Sequence, residues 1–307
     1  MGKNGTNEYE LKTDTSINTD AAALSYQSEK ETHDAITFFY DQIRKRYQIP
    51  SSRIHIVISS GLKQELDRYN KVEYFANVVR PKDLDPNIRI RYITVDEEAE
   101  LSFKGIVPAI NRLNSNQLDV GSGNTKGGYI NGNRSFIPVT FPLGTKSFQR
   151  LVEAHMTGNP KIEDYLQTAE KIIADSLGRV MVYQFMDKKD FKSKDIYISG
   201  GIVWCMASLM HPETIRQNHV ELSRQDFADF RKLIFSSYDS LVKPDLRRMM
   251  NAEDAKASLA NIKRVVNTYD QKALLSGAIW LDELIAVSYT HLRAHETDSY
   301  LVCRLLL

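Results

Sequence analysis

The sequence predicts an α/β protein of two domains with mainly parallel strands, and three observations predict it. Short β-branched runs alternate with amphipathic segments of helical spacing in the first half of the chain. Several strand candidates end in small-residue turns that open into helices. The length of 307 residues gives material for two cores. Aliphatic and aromatic residues make up 42% of the chain and charged residues 26%, ordinary globular usage that excludes overall disorder. A formal net charge of +1 lacks the cationic excess of a nucleic-acid clamp or a polybasic membrane binder. Two cysteines, Cys205 and Cys303, exclude a disulfide framework and suit a reducing compartment. The apolar stretch around Ile202–Met210 is too short to span a bilayer, which takes about 20 residues. No apolar core follows the N-terminal charges, so a cytoplasmic location is expected.

The elements follow in order. Ala35, Ile36, Phe39, Tyr40 and Ile43 recur at helical spacing and predict a helix over Glu31–Tyr47. Arg53–Ser59 reads as a strand, Glu65–Val79 as a helix and Ile88–Val95 as a second strand. Asp96 is placed to cap a helix running to about Arg112. A strand over Gln117–Val120 leads into a glycine-rich loop, and the Asn131-Gly132 pair predicts a hairpin with Phe136–Phe141 as the returning strand. Helices are expected at Thr145–Thr157 and Lys161–Leu177, then a charged connection over Asp187–Asp195. Asp195–Ser199 reads as a strand ending in Gly200-Gly201 and opening a helix. Ser223 with Asp226 forms a capping-box pattern before a helix toward Leu241. A helix over Ala252–Thr268 is followed by a short strand, Ala273–Leu275, ending in Ser276-Gly277.

The loops carry the chemical signal. In Asp119-Val120-Gly121-Ser122-Gly123-Asn124-Thr125-Lys126, a carboxylate ends a strand and small residues form a turn. Glycines let backbone amides approach phosphate oxygens, and successive amides form an anion nest. The loop is neither a Walker A sequence nor a dinucleotide fingerprint, and a plain tight turn remains the alternative. Ser199-Gly200-Gly201 and Ser276-Gly277 read as two further small-residue turns at strand ends, where a helix N-terminus can face an anion. Asp96-Glu97-Glu98 reads either as a helix start or as the source of a general base. His55 reads as a satisfied strand residue, His155, His211 and His219 show no metal-ligand spacing, and Trp204, Cys205 and Met206 read as core.

Residues from about Glu31 to Ile285 resemble the exopolyphosphatase/guanosine pentaphosphate phosphohydrolase (Ppx/GppA) family of the actin-like ATPase superfamily. The resemblance lies in Ile58-Ser59-Ser60-Gly61-Leu62-Lys63, then Ile93 through Gly105 with its Glu97-Glu98-Ala99-Glu100-Leu101 core, then the Asp119 loop. Pro142-Leu143-Gly144, Ser199-Gly200-Gly201 and Gly277-Ala278-Ile279-Trp280-Leu281 follow in the family's order.

The resemblance implies two ribonuclease H-like (actin-like ATPase) domains around a cleft that holds a phosphate chain, with Mg²⁺. It implies hydrolysis of inorganic polyphosphate or guanosine pentaphosphate by in-line attack of water, a reaction that rests on positioning and charge neutralisation. Glu98 is the base it implies. Lys63, Asp119, Gly121, Ser122, Gly123, Asn124, Thr125, Lys126, Ser199, Gly200 and Gly201 are the phosphate contacts, and Asp119 is the metal ligand. A homodimer is compatible with it; nucleic acid and membrane partners are not expected. The family loop reads Asp-Ile-Gly-Gly-Gly-Ser-Thr-Glu, so Ser122, Asn124 and Lys126 depart from it, and Lys63 stands where the family has Arg. The position of Lys126 belongs to a catalytic or metal-linked Glu in the family, which weakens the metal and water-activating arrangement; hydrolysis stays the expected function, and a catalytically impaired relative that binds nucleotide or polyphosphate as a sensor or partner protein is the alternative. The expected division is an incomplete first domain over 1–116, a second over 117–286, and a tail over 287–307 that looks like peptide translated from sequencing-adapter DNA. A metal site built from His291, His295 and Cys303 is discounted with that tail.

Overall fold

The structure is a computed structural model that describes residues 15–290, except 18, 159, 187, 189, 190, 192–194, 218 and 250, together with 301–304. His291 and His295 lie outside the described residues. The contacts divide the chain into two units at Thr94–Val95. The division precedes the expected boundary at residue 116 because the helix that carries Glu98 packs on strands of the second unit.

In the first unit, α1 (Tyr26–Asp41) starts at a reciprocal cap in which Ser25 and Ser28 each accept the other's backbone N–H. It begins before the predicted Glu31 and closes in a π turn, Gln42–Arg46. The strands β1 (Ile56–Ile58) and β2 (Ile90–Tyr92) pair in parallel, Ile56 opposite Ile90. Between them lie α2 (Ser60–Arg68) and α3 (Val72–Val78), where one helix was predicted. Asn70, with a left-handed φ of 53°, breaks the two apart. Ile58, Leu66, Phe75 and Val79 form the core at this end.

The second unit opens with α4 (Val95–Ile106), which buries Ala99, Phe103 and Ile106. The strands β3 (Ser115–Val120), β4 (Thr125–Ile130) and β5 (Phe136–Phe141) make an antiparallel meander, and α4 packs on all three. Next come α5 (Thr145–Ala154), α6 (Ile162–Ile172) and α7 (Gly178–Met186), the last two joined by a π turn at Ile173–Leu177. Strand β6 (Asp195–Ser199) pairs in parallel with β3 and leads into α8 (Gly201–Met210). Then β7 (His219–Leu222), α9 (Arg224–Ser236), α10 (Tyr238–Leu241), α11 (Ala252–Thr268) and α12 (Gln271–Thr290) follow, with Ser223 and Asp226 capping α9 as predicted. Leu301–Arg304 adds β8, giving the sheet order β5-β4-β3-β6-β8-β7. Among the described residues no helix is long and apolar enough to cross a membrane.

The predicted strand at Ala273–Leu275 is corrected: these residues lie inside α12. Ala273, Leu274, Leu275, Ile279, Trp280, Leu281 and Leu284 are all buried, so apolar residues cover most of the helix's circumference, interrupted at Asp282 and Glu283, and its sequence loses the helical period. Ser276-Gly277 is therefore no strand-end turn. A Cβ on Gly277 would lie 2.6 Å from the Ile202 side chain, so the glycine lets α12 approach α8. α12 also runs through buried Val287, past the start of the foreign-looking segment at residue 287.

Ser276 is hydrogen-bonded to the hydroxyl of fully buried Tyr165. Burial pushes the Tyr165 and Tyr269 phenols up to about 12. A folded-state pKa above the unfolded one gives stability that is complete below pH 10 and declines as pH rises toward 12. The expected result is a urea midpoint that falls between pH 10 and 11.5, with a shallower fall in Tyr165→Phe, read by fluorescence.

Candidate functional site

The β3–β4 hairpin builds the site. Its register sets Asp119 directly opposite Lys126 and Val120 opposite Thr125, leaving Gly121–Asn124 as the turn. The Gly121 N–H donates to Asn124 O at 3.0 Å and closes it. The turn is held from behind by α5: Gly121 O accepts the Thr145 N–H at 3.0 Å, and Ser122 O accepts those of Lys146 and Ser147 at 2.8 and 3.1 Å. The Ser147 hydroxyl donates to Gly123 O at 2.8 Å. The first amides of α5 thus serve the turn rather than a ligand. In a trans peptide the N–H opposes the C=O of the same plane, so the amides of Ser122 and Gly123 point away from α5. Ser122 and Gly123 are exposed, whereas Asn124, Thr125 and Lys126 are buried. The Gly144 that begins α5 is fixed by contact, since a Cβ there would lie 2.2 Å from Gly121 O.

Beneath the turn three oxygens converge on one ammonium. Lys126 Nζ lies 3.2 Å from Glu98 Oε1, 3.2 Å from Asp119 Oδ2 and 3.4 Å from Asn124 Oδ1. The Lys126 side chain is 7% exposed and the two carboxylates 20% and 21%, so these pairs feel far less solvent screening than surface pairs. The other oxygen of Asp119 accepts from the Ser199 hydroxyl at 2.9 Å. Gln117 Nε2 donates to the Ser199 and Ser102 hydroxyls at 3.4 and 3.1 Å. Ser199 therefore orients Asp119, a job different from the expected phosphate contact.

Gly200 holds that orientation. Its φ is +113° and a Cβ would fall 2.1 Å from Val120 O, so the β6–α8 turn lies against β3 as only glycine permits. Gly201, the first residue of α8, faces Tyr269, whose hydroxyl would be 2.1 Å from a Cβ there. That ring covers the helix start that was expected to face an anion. The Thr125 hydroxyl is also turned inward, donating to Leu143 O and accepting from Trp280 Nε1, both at 2.8 Å.

Lys63 belongs to the first unit, on α2, where it pairs with Asp67 at 2.6 Å. Lys146 and Ser147 were missed by sequence reading. The only signal for them is their place in the first turn of a helix just after Pro142-Leu143-Gly144. Lys146 Nζ sits 5.4 Å from the centroid of the Tyr269 ring.

The Mg²⁺ implied for Asp119 does not fit the residues present. The position between Glu98 and Asp119 that a divalent ion needs is taken by the Lys126 ammonium, and Asp119 is already shared between Lys126 and Ser199. Among the described residues no group of three His, Cys, Asp or Glu side chains could hold a metal ion.

By sequence the chain matches no family model and no curated relative. By structure it is similar to an exopolyphosphatase-like protein, with 16% identity and a TM-score of 0.60, covering 91% of this chain and 81% of that one. It is likewise similar to an exopolyphosphatase from Cytophaga hutchinsonii, at 14% identity and a TM-score of 0.58, covering 91% and 78%. A third likeness is to the Ppx/GppA phosphatase of Aquifex aeolicus, at 14% identity and a TM-score of 0.54, covering 92% and 80%. The α/β chain described above therefore has the fold of the Ppx/GppA proteins over most of its length.

Proposed function

We propose that this chain is a Ppx/GppA-type protein that binds a phosphate chain, inorganic polyphosphate or guanosine pentaphosphate, at the Gly121–Lys126 turn and hydrolyses it poorly or not at all. One observation carries the reading: the Lys126 ammonium lies 3.2 Å from both Glu98 and Asp119. A general base must accept a proton in the transition state. Glu98 can do so only by surrendering its charge beside that ammonium, and Lys126 bars the divalent ion that would polarise the phosphoryl group. Binding draws instead on the outward amides of Ser122 and Gly123. The Lys126 ammonium offsets part of the negative charge of Glu98 and Asp119 beneath the turn, which lessens the repulsion a polyanion meets there.

A second reading, slow hydrolysis with Glu98 as base, is favoured by the fact that Glu98 and Asp119 share one partner beneath the turn. Thermal unfolding and phosphate release, followed together with polyphosphate and Mg²⁺, separate the two. The expected result is a melting temperature that rises with polyphosphate concentration and no phosphate above the blank. Release that disappears in Glu98→Gln would establish hydrolysis. A flat melting temperature with every phosphate ligand would end the binding proposal.

A further inference from the structure

We propose that the cavity lined by α6, α7, α9 and α12 binds a small organic cation, a primary ammonium carrying an apolar alkyl or aryl body. None of the lining residues belongs to the Gly121–Lys126 turn, so the inference goes beyond the proposed function and either can fail alone.

The cavity measures about 650 Å³, within the range of small-molecule pockets. Ile173, Val182 and Ile279 supply apolar wall, and the exposed Tyr183 stands at the rim. The chain passes from α6 to α7 through the π turn at Ile173–Leu177, and the residue that follows is Gly178. A Cβ there would lie 3.4 Å from Glu283 Oε1, so the missing side chain leaves that carboxylate uncovered on one side.

The charged groups decide the sign of the ligand. Arg231 is already shared between Glu170 and Asp282, the second at 3.2 Å. Arg179 is exposed and donates to the backbone oxygen of Asp175. Glu283 differs from them: among the described residues no hydrogen bond or ion pair holds its half-buried carboxylate. Burial and the neighbouring Asp282 push this carboxyl up, against the opposing pull of Arg231. Three carboxylates, Glu170, Asp282 and Glu283, thus stand against two guanidiniums, Arg179 and Arg231, which leaves one negative charge at an apolar wall. A monocation with an apolar body answers both features, because its ammonium offsets Glu283 while its body leaves water. An anion would instead have to pull Arg231 away from Glu170 or Asp282.

Titration calorimetry of the full chain with phenethylammonium, in about 0.15 M salt to screen surface charge, tests this. Saturable binding with a Kd of about 1 mM or tighter is expected. Phenylethanol, a neutral analogue of similar shape, and the anion phenylpropionate should bind at least about tenfold more weakly. Glu283→Gln keeps the size of the side chain, so it should weaken the ammonium about tenfold and leave the alcohol unchanged. Ala174→Trp, at an exposed position on the wall, should fill the cavity and abolish binding of both. Equal affinity for the three ligands overturns the proposal, as does a folded Glu283→Gln that binds the ammonium like wild type. No saturable binding up to about 10 mM overturns it too. The three ligands on wild type decide the matter even where a variant fails to fold.

Discussion

Gly200→Ala is expected to destabilise the second unit by about 3 kcal/mol and to weaken whatever the β3–β4 turn binds. Two costs combine. A φ of +113° lies outside the comfortable range of an L side chain, and the added Cβ would sit 2.1 Å from Val120 O. That neighbour is backbone in the middle of the sheet, so it cannot swing aside; the β6–α8 turn must lift. Lifting it withdraws the Ser199 hydroxyl from Asp119, now 2.9 Å away, and loosens the carboxylate that faces Lys126. Urea unfolding should show a lower midpoint with an unchanged slope. Ser199→Ala is the control that separates strain from orientation. It should cost only about 1 kcal/mol while reproducing the loss of ligand affinity. Equal stability of Gly200→Ala and wild type would mean that the turn can relax without leaving β3.

Trp280→Ala is expected to lower stability by about 3–5 kcal/mol, the range for truncating a fully buried aromatic, and the melting temperature by roughly 10 °C. The indole is 1% exposed and packs against Phe141 and Phe148, with ring centroids 6.2 and 5.7 Å away. Its Nε1–H donates to Thr125 Oγ1 at 2.8 Å, linking α12 to the first residue of β4 beside Lys126. Trp280→Phe keeps most of the apolar contact and removes only the hydrogen bond, so about 1–2 kcal/mol is expected. If the two substitutions cost the same, the hydrogen bond rather than the packing holds α12 to the hairpin. Calorimetric midpoints of the two variants decide this.

Much of the architecture was legible in the residues. The strands at Asp195–Ser199 and Phe136–Phe141, the helix at Ala252–Thr268 and the cap at Ser223 stand where periodicity and turn chemistry put them. These features depend on neighbours within a few positions, and local spacing records such neighbours directly. Where burial is nearly complete the record fails: α12 hides a largely apolar circumference that reads as a short strand, and Ser276-Gly277 reads as a turn although it is a helix–helix contact. The candidate site divides in the same way. Asp119, the small-residue turn and Glu98 could be named from order along the chain, but nothing local says that they share Lys126.

By itself, the sequence determined the strands at Phe136–Phe141 and Asp195–Ser199, the helix at Ala252–Thr268 and the presence of a lysine just after the small-residue turn. Tertiary structure alone decided what that lysine does. Its ammonium meets a carboxylate from a helix 28 positions earlier and another from the facing strand, because β3–β4 register and the packing of α4 bring them to one point. An electrostatic environment depends on distances between residues remote in sequence, and those distances exist only once the sheet has formed.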